Sequence, residues 1–140
     1  MTLAIEKAAG RRPWPPRQSE FTRRFWSALA EGRFTTTRCA ACGKLAFPPR
    51  PFCPHCWHEA IEWVELRATG TVYSSTVMHA VPAVFAHEAP YRVGIVDLDE
   101  GLRIATRLLG VTEGFAVGRR AEIVVLAYED GPLFAARVLA

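Results

Sequence analysis

Cys39-Ala40-Ala41-Cys42 and Cys53-Pro54-His55-Cys56 hold every cysteine of the 140-residue chain, and ten residues, GKLAFPPRPF, separate the two pairs. Two residues between cysteines let one tight turn aim both sulfurs at a common point with backbone N–H groups facing them. Two such knuckles complete a tetrahedral four-sulfur site. Gly43, directly after the first pair, permits the backbone turn that a knuckle wants, and Pro54 stiffens the second. The FPPRP between them is long enough to form a connecting hairpin. A segment this short buries no core of its own, so metal ligation is expected to supply its folding free energy, on the order of 10 kcal/mol in peptides. Two disulfides or a redox pair are the competing readings. A cytoplasmic location disfavours the first, and the absence of a thioredoxin-like unit whose helix opens on the pair disfavours the second. A closed set of four thiolates points to a structural metal. Zinc is favoured, with iron its rival because the donor set does not separate them. His55 and His58 read as surface or supporting residues, since four sulfurs already fill the shell. With all four thiols on a metal, none remains as an acyl-accepting nucleophile.

Working outward toward the N-terminus, Gly10–Arg17 (GRRPWPPR) carries three prolines, which fix an extended, arm-like backbone. Ser19 is the expected N-cap of a short helix. Phe21, Phe25, Ala28 and Leu29 share one face, and Gly32 ends it. That face must lie on this chain's own core or on a partner. Toward the C-terminus the period changes to two, and five strands are predicted: Thr71–His79, Tyr91–Leu98, Leu102–Leu109, Ala121–Tyr128 and Leu133–Leu139. Asp99-Glu100-Gly101 and Glu129-Asp130-Gly131-Pro132 each join neighbouring strands as hairpins. Five short strands in roughly 70 residues suit a small closed Greek-key barrel of the OB-fold type. The chain therefore divides into an arm and helix (1–37), a metal ribbon (38–67) and a barrel (68–140).

The formal net charge is only +3, but it is unevenly spread. Residues 1–38 hold eight basic side chains against three acids, 39–67 balance at three each, and 68–140 carry six arginines against eight acids. A barrel that binds single-stranded nucleic acid should itself be basic, so that alternative function ranks second. Mean hydropathy is +0.07, and no apolar run approaches the roughly 18 residues of a membrane span. MTLAIEKAAGRR places Glu6 and Lys7 where a signal peptide needs its apolar run, so a soluble, cytoplasmic protein is expected. His79, His87, Asp97, Asp99 and Glu100 show no spacing that links them as a catalytic set. Acids in a hairpin turn are explained by the turn.

The order of a basic helix-bearing N-terminus, RCAACGKLAFPPRPFCPHCW, GTVYSSTVMH, PYRVGIVDLDEGLRIATRLLG and VGRRAEIVV resembles the acyl-CoA-associated family that joins a rubredoxin-like zinc ribbon to an OB-fold, over about residues 18–138. The arm GRRPWPPR finds no assignment in it. The resemblance implies zinc on Cys39, Cys42, Cys53 and Cys56, and a non-catalytic subunit of a hetero-oligomer whose larger chain is thiolase or thiolase-like, with acyl-CoA at or near the interface. Coenzyme A presents phosphates and an adenine, so Arg or Lys near an apolar slot is required. Arg38, Lys44 and Arg50 on the ribbon are ranked ahead of Arg92, Arg103 and Arg107 on the barrel hairpin. Phe47, Phe52 and Trp57 are expected to pack between ribbon, helix and barrel.

Overall fold

A computed structural model of the chain describes residues 2–140. Its elements run β1 (Ile5–Lys7), α1 (Arg23–Ala30), β2 (Phe34–Cys39), β3 (Leu45–Ala46), β4 (Ile61–Leu66), β5 (Thr69–Met78), β6 (Tyr91–Leu98), β7 (Arg103–Leu109), β8 (Arg120–Tyr128) and β9 (Gly131–Val138). A 3₁₀ helix, Ala83–Glu88, sits between β5 and β6. None of the described helices is long and apolar enough to cross a membrane.

All five predicted barrel strands form, with ends shifted by one or two residues. Strand β5 pairs with β6, β6 with β7, β7 with β9 in parallel, β9 with β8, and β8 returns to β5, closing a five-stranded barrel. Both hairpins are as expected. Alternation does the sorting: Val72, Val96, Ile104, Ile123, Val125 and Ala136 point inward and are nearly inaccessible. Between β5 and β6 the register shifts from Val72 to Ser74, a bulge of the kind that lets a strand curl round a small barrel.

The ribbon forms a separate three-stranded antiparallel sheet in the order β3-β2-β4. Strand β2 (FTTTRC) is polar in sequence yet mostly buried, because it is the central strand of this sheet and the helix packs against it. Two of its three hydroxyls find partners: Thr36 donates to the Ala46 carbonyl, and Thr37 accepts from the Arg50 N–H at 3.1 Å, while the buried Thr35 hydroxyl has none. The predicted hairpin within FPPRP does not form. That stretch is irregular, since its prolines have no N–H for a ladder. Just before it, β2 pairs with β3 at Thr37↔Ala46 and Arg38↔Leu45.

Phe25, Ala28 and Leu29 are buried as the spacing implies, and the surface they cover is this chain's own. Phe25 meets Phe34 of β2, Phe47 of the ribbon and Phe134 of β9 at ring-centroid distances of 5.5–6.1 Å, mostly edge to face. One continuous core thus joins helix, ribbon and barrel. Ser19 does not cap the helix. It exchanges hydrogen bonds with Thr22 in the turn before it (2.8 and 3.0 Å) and accepts the Arg23 N–H through its carbonyl. These bonds close a turn upstream, so the helix itself starts at Arg23. Gly32 ends it at φ +83°, as expected.

The arm is anchored. Ile5–Lys7 runs parallel to Val125–Ala127 of β8, and Arg12 is inserted beneath the β8–β9 turn. Its guanidinium donates to the carbonyls of Asp130 (2.9 Å) and Pro132 (3.3 Å) and pairs with the Asp130 carboxylate at 3.4 Å, both side chains nearly buried. Asp130 also accepts the Arg12 backbone N–H at 2.8 Å. That bond, with the nearby guanidinium, holds the Asp130 carboxyl below its usual range. Gly131, at φ +143°, makes the insertion possible: a Cβ there would lie 2.7 Å from the Arg12 Cζ. Gly131→Ala is therefore expected to destabilise the metal-loaded protein by about 1–3 kcal/mol. Urea melts of a double-mutant cycle should show part of that cost vanishing in the Arg12→Ala background.

Candidate functional site

The two knuckles are built to one plan. In each, the residue after the second cysteine donates its N–H to the carbonyl of the first: Gly43 to Cys39 and Trp57 to Cys53, both at 2.8 Å. In each, the first cysteine's N–H reaches the carbonyl five residues on, Cys39 to Lys44 (3.0 Å) and Cys53 to His58 (2.9 Å). The residue after the second cysteine is left-handed in both, Gly43 at φ +76° and Trp57 at φ +66°. Backbone donors face the sulfurs, Cys42 N–H to Cys39 Sγ at 3.4 Å and His55 N–H to Cys53 Sγ at 3.3 Å.

The four Sγ atoms lie within 4.8 Å of one another, with Cys39–Cys56 and Cys42–Cys53 at 3.6 Å. A tetrahedron with metal–sulfur bonds of about 2.3 Å has edges of about 3.8 Å, whereas a disulfide needs about 2.05 Å. The spacing suits an ion and not a bond, and all four cysteines are free. Proton affinities carry the same message. Burial acts to raise Cys53, but N–H donation from Cys56 and His55 and contact with Cys42 and Cys56 bring it down to about 6. Cys39 is lowered too, chiefly by the Cys42 N–H. Cys56, despite receiving the His58 N–H, is pushed up to about 12 by burial and the other three thiols. Crowded sulfurs ionise one at the expense of the next, so four thiolates coexist only around a cation. The donor set fits a divalent ion such as zinc or iron.

Neither nearby histidine is among the ligands. The His55 Nε2 lies 3.3 Å from the Leu45 carbonyl, tying one knuckle to the other, and the His58 Nδ1 accepts the Ala60 N–H at 3.2 Å.

The six basic candidates fare differently. Arg38 and Lys44 line one cleft of about 480 Å³ together with Gly43, Leu45, His55, Glu100 and Gly101, between the first knuckle and the β6–β7 turn. Among the described residues neither has an acidic partner. Glu100 arrives from the barrel. Its Oε2 accepts the N–H groups of Arg67 (2.6 Å) and Ala68 (3.4 Å), while its buried Oε1 has no hydrogen-bond partner. Arg50 is exposed elsewhere on the ribbon and does not line the cleft. Arg92 donates to the Gly114 carbonyl at 3.3 Å. Arg103 pairs with Asp97 at 2.5 Å and lies over the Tyr73 ring; Arg107 pairs with Glu88 at 3.1 Å and lies over Tyr91. Asp99 is paired likewise, with Arg120 at 2.6 Å. His79 and His87 are exposed.

Of the three ribbon aromatics, only Phe47 packs as expected, stacked on Phe34 at 5.3 Å. Phe52 and Trp57 instead stack on each other, nearly parallel at 8° with centroids 5.4 Å apart, and Trp57 is 73% exposed. Exposure could not be read from composition, because a large aromatic beside a motif is more often core.

Residues 26–62 match the family model described as the ChsH2 rubredoxin-like zinc ribbon domain, and 63–126 the one described as the ChsH2 C-terminal OB-fold domain. A solved structure titled Ltp2-ChsH2(DUF35) aldolase shares 35% identity and superposes with a TM-score of 0.76, covering 89% of this chain and 98% of that one. The benzoylsuccinyl-CoA thiolase subunit BbsA of Thauera aromatica is 37% identical over 66% of this chain and 63% of its own. A probable enoyl-CoA hydratase alpha subunit of Thermomonospora curvata is 46% identical over 62% of this chain, but that match spans only 27% of the larger protein.

The metal centre makes a direct prediction. Purified protein should carry about one ion per chain by elemental analysis, Cys42→Ser should lose most of it, and acid should release it as protons compete for the sulfurs. Loss of the ion should disorder residues 39–60 in an NMR spectrum before the barrel melts.

Proposed function

Because the chain belongs to the ChsH2 (DUF35) family, which joins a rubredoxin-like zinc ribbon to an OB-fold, we propose that it is a non-catalytic accessory subunit of a thiolase-type complex that processes acyl-CoA. It holds a structural zinc ion and presents its ribbon at the interface with a larger, thiolase-like chain in the cytoplasm. The division into arm and helix (1–37), ribbon (38–67) and barrel (68–140) goes with this role, the ribbon being the outward element. The names of its relatives support the reading: a thiolase subunit, an aldolase assembly and a hydratase subunit.

The observation that carries the coenzyme part is the cleft where Arg38 and Lys44 converge without acidic partners. Phosphate groups are bound by such cations through charge-assisted hydrogen bonds. Arg50 remains a flanking donor. Arg103 and Arg107, already neutralised by Asp97 and Glu88, are weaker candidates, and Arg92, bonded to a carbonyl, ranks with them. The same ion pairs leave no unpaired basic stripe on that barrel face among the described residues, which supports the coenzyme reading over single-stranded nucleic acid.

Co-expression with the thiolase-like chain encoded beside it should give a complex whose acyl-CoA turnover requires both subunits. Arg38→Glu with Lys44→Glu should leave the complex assembled and raise KM for the acyl-CoA at least about tenfold, from the loss of two charged contacts. A KM unchanged by the double substitution overturns the cleft assignment; failure of the wild-type chain to pair overturns the subunit assignment.

A further inference from the structure

The residue after each knuckle adopts the left-handed conformation, which favours glycine and is costly for a bulky side chain. The first knuckle has Gly43 there, in open space; the second has Trp57 at φ +66°. Nothing in the fold calls for a tryptophan at this position. The indole is 73% exposed, and its one aromatic contact among the described residues is Phe52 of the same ribbon, stacked at 8°. Backbone strain that local packing does not explain concentrates at functional positions. Here it holds a broad apolar ring in solvent on a backbone fixed by two sulfur ligands. Phe52 covers one side of that ring, so the indole is pre-oriented and loses little freedom when something closes over it.

We propose that the Trp57–Phe52 stack is the principal docking anchor of this chain, inserting into an apolar pocket on the larger, thiolase-like subunit. The inference rests on the accessory-subunit reading and adds the residue and the chemistry of the contact. Arg50, two residues from Phe52 and outside the cleft that Arg38 and Lys44 line, flanks the stack in a stretch, residues 38–58, that contains no carboxylate, so the pocket on the partner has an acidic rim opposite Arg50. Tryptophan and arginine around a central apolar pocket are the side chains that dominate binding energy in protein interfaces. The rim charges make association faster at low salt.

The test exploits the strain. Trp57→Gly removes the anchor while placing at this position the residue its backbone favours, as at Gly43. The metal content should be unchanged and the melting temperature should stay within about 3 °C of the parent. Affinity for the co-expressed thiolase-like subunit, measured by surface plasmon resonance or calorimetry, should fall at least about thirtyfold, and Phe52→Ala should lower it less. A Trp57→Gly chain that melts much lower, or that pairs with unchanged affinity, overturns the proposal. So does a variant that pairs normally and loses only acyl-CoA affinity, since the indole would then stack on the coenzyme. If the wild-type chain captures no thiolase-like subunit at all, the accessory-subunit reading has failed, a result distinct from normal pairing by the variant.

Discussion

Four sulfur atoms held in mutual contact set the terms for the ribbon. Uncompensated thiolates at 3.6 Å repel, so the geometry is stable only around a positive ion, and the two knuckles are wound to provide it. Cys39 ends β2, whose other end places Phe34 in the core. An ion on the four sulfurs would therefore fix one end of a strand whose far end is fixed by hydrophobic packing. Strand β4 pairs with β2 from Phe34↔Leu66 to Cys39↔Ile61 and carries the same registration into the barrel through Ala68.

At the opposite end of β2, Phe25, Phe34, Phe47 and Phe134 do what a bound ion would do near the knuckles. One ring comes from the helix, two from the ribbon and one from the barrel, at mutual distances of 5.3–6.1 Å. The helix is short and lacks a side-chain cap at Thr22, so its stability comes from this burial and not from its own hydrogen bonds. Glu100, reaching from the β6–β7 turn to the N–H groups of Arg67 and Ala68, ties ribbon and barrel a second time. The cleft is thus framed from both sides by parts that do not move independently.

Much of this was legible in the sequence because it is periodic or spaced. The knuckles depend on a two-residue interval, the barrel strands on alternation, and the helix face on Phe25, Ala28 and Leu29. What was not legible depends on partners far along the chain. Ile5–Lys7 is too short and polar to show a period, and it becomes a strand only because β8 offers an edge. Arg12 looks like any arginine in a proline-rich arm until Asp130, 118 residues away, is brought beneath it. The polar run Thr35-Thr36-Thr37 reads as surface and is buried because its hydroxyls and ladder are mostly satisfied. Arg103 and Arg107 resembled free cations until folding set Asp97 and Glu88 beside them. Trp57 was misplaced for the opposite reason: its size suggested the interior, and the backbone holds it out.

The pairing of β1 has a bearing on how this protein behaves among copies of itself. Strand β5 accompanies β8 only through Glu122, and beyond that point the outer flank of β8 would offer bare amide and carbonyl groups. Strand β1 covers Val125–Ala127, aided by Glu6 bonded to Arg137. A version trimmed to start at the helix would keep the ribbon and every barrel strand, yet it would uncover an adhesive seam of the kind through which β-proteins recruit one another into aggregates.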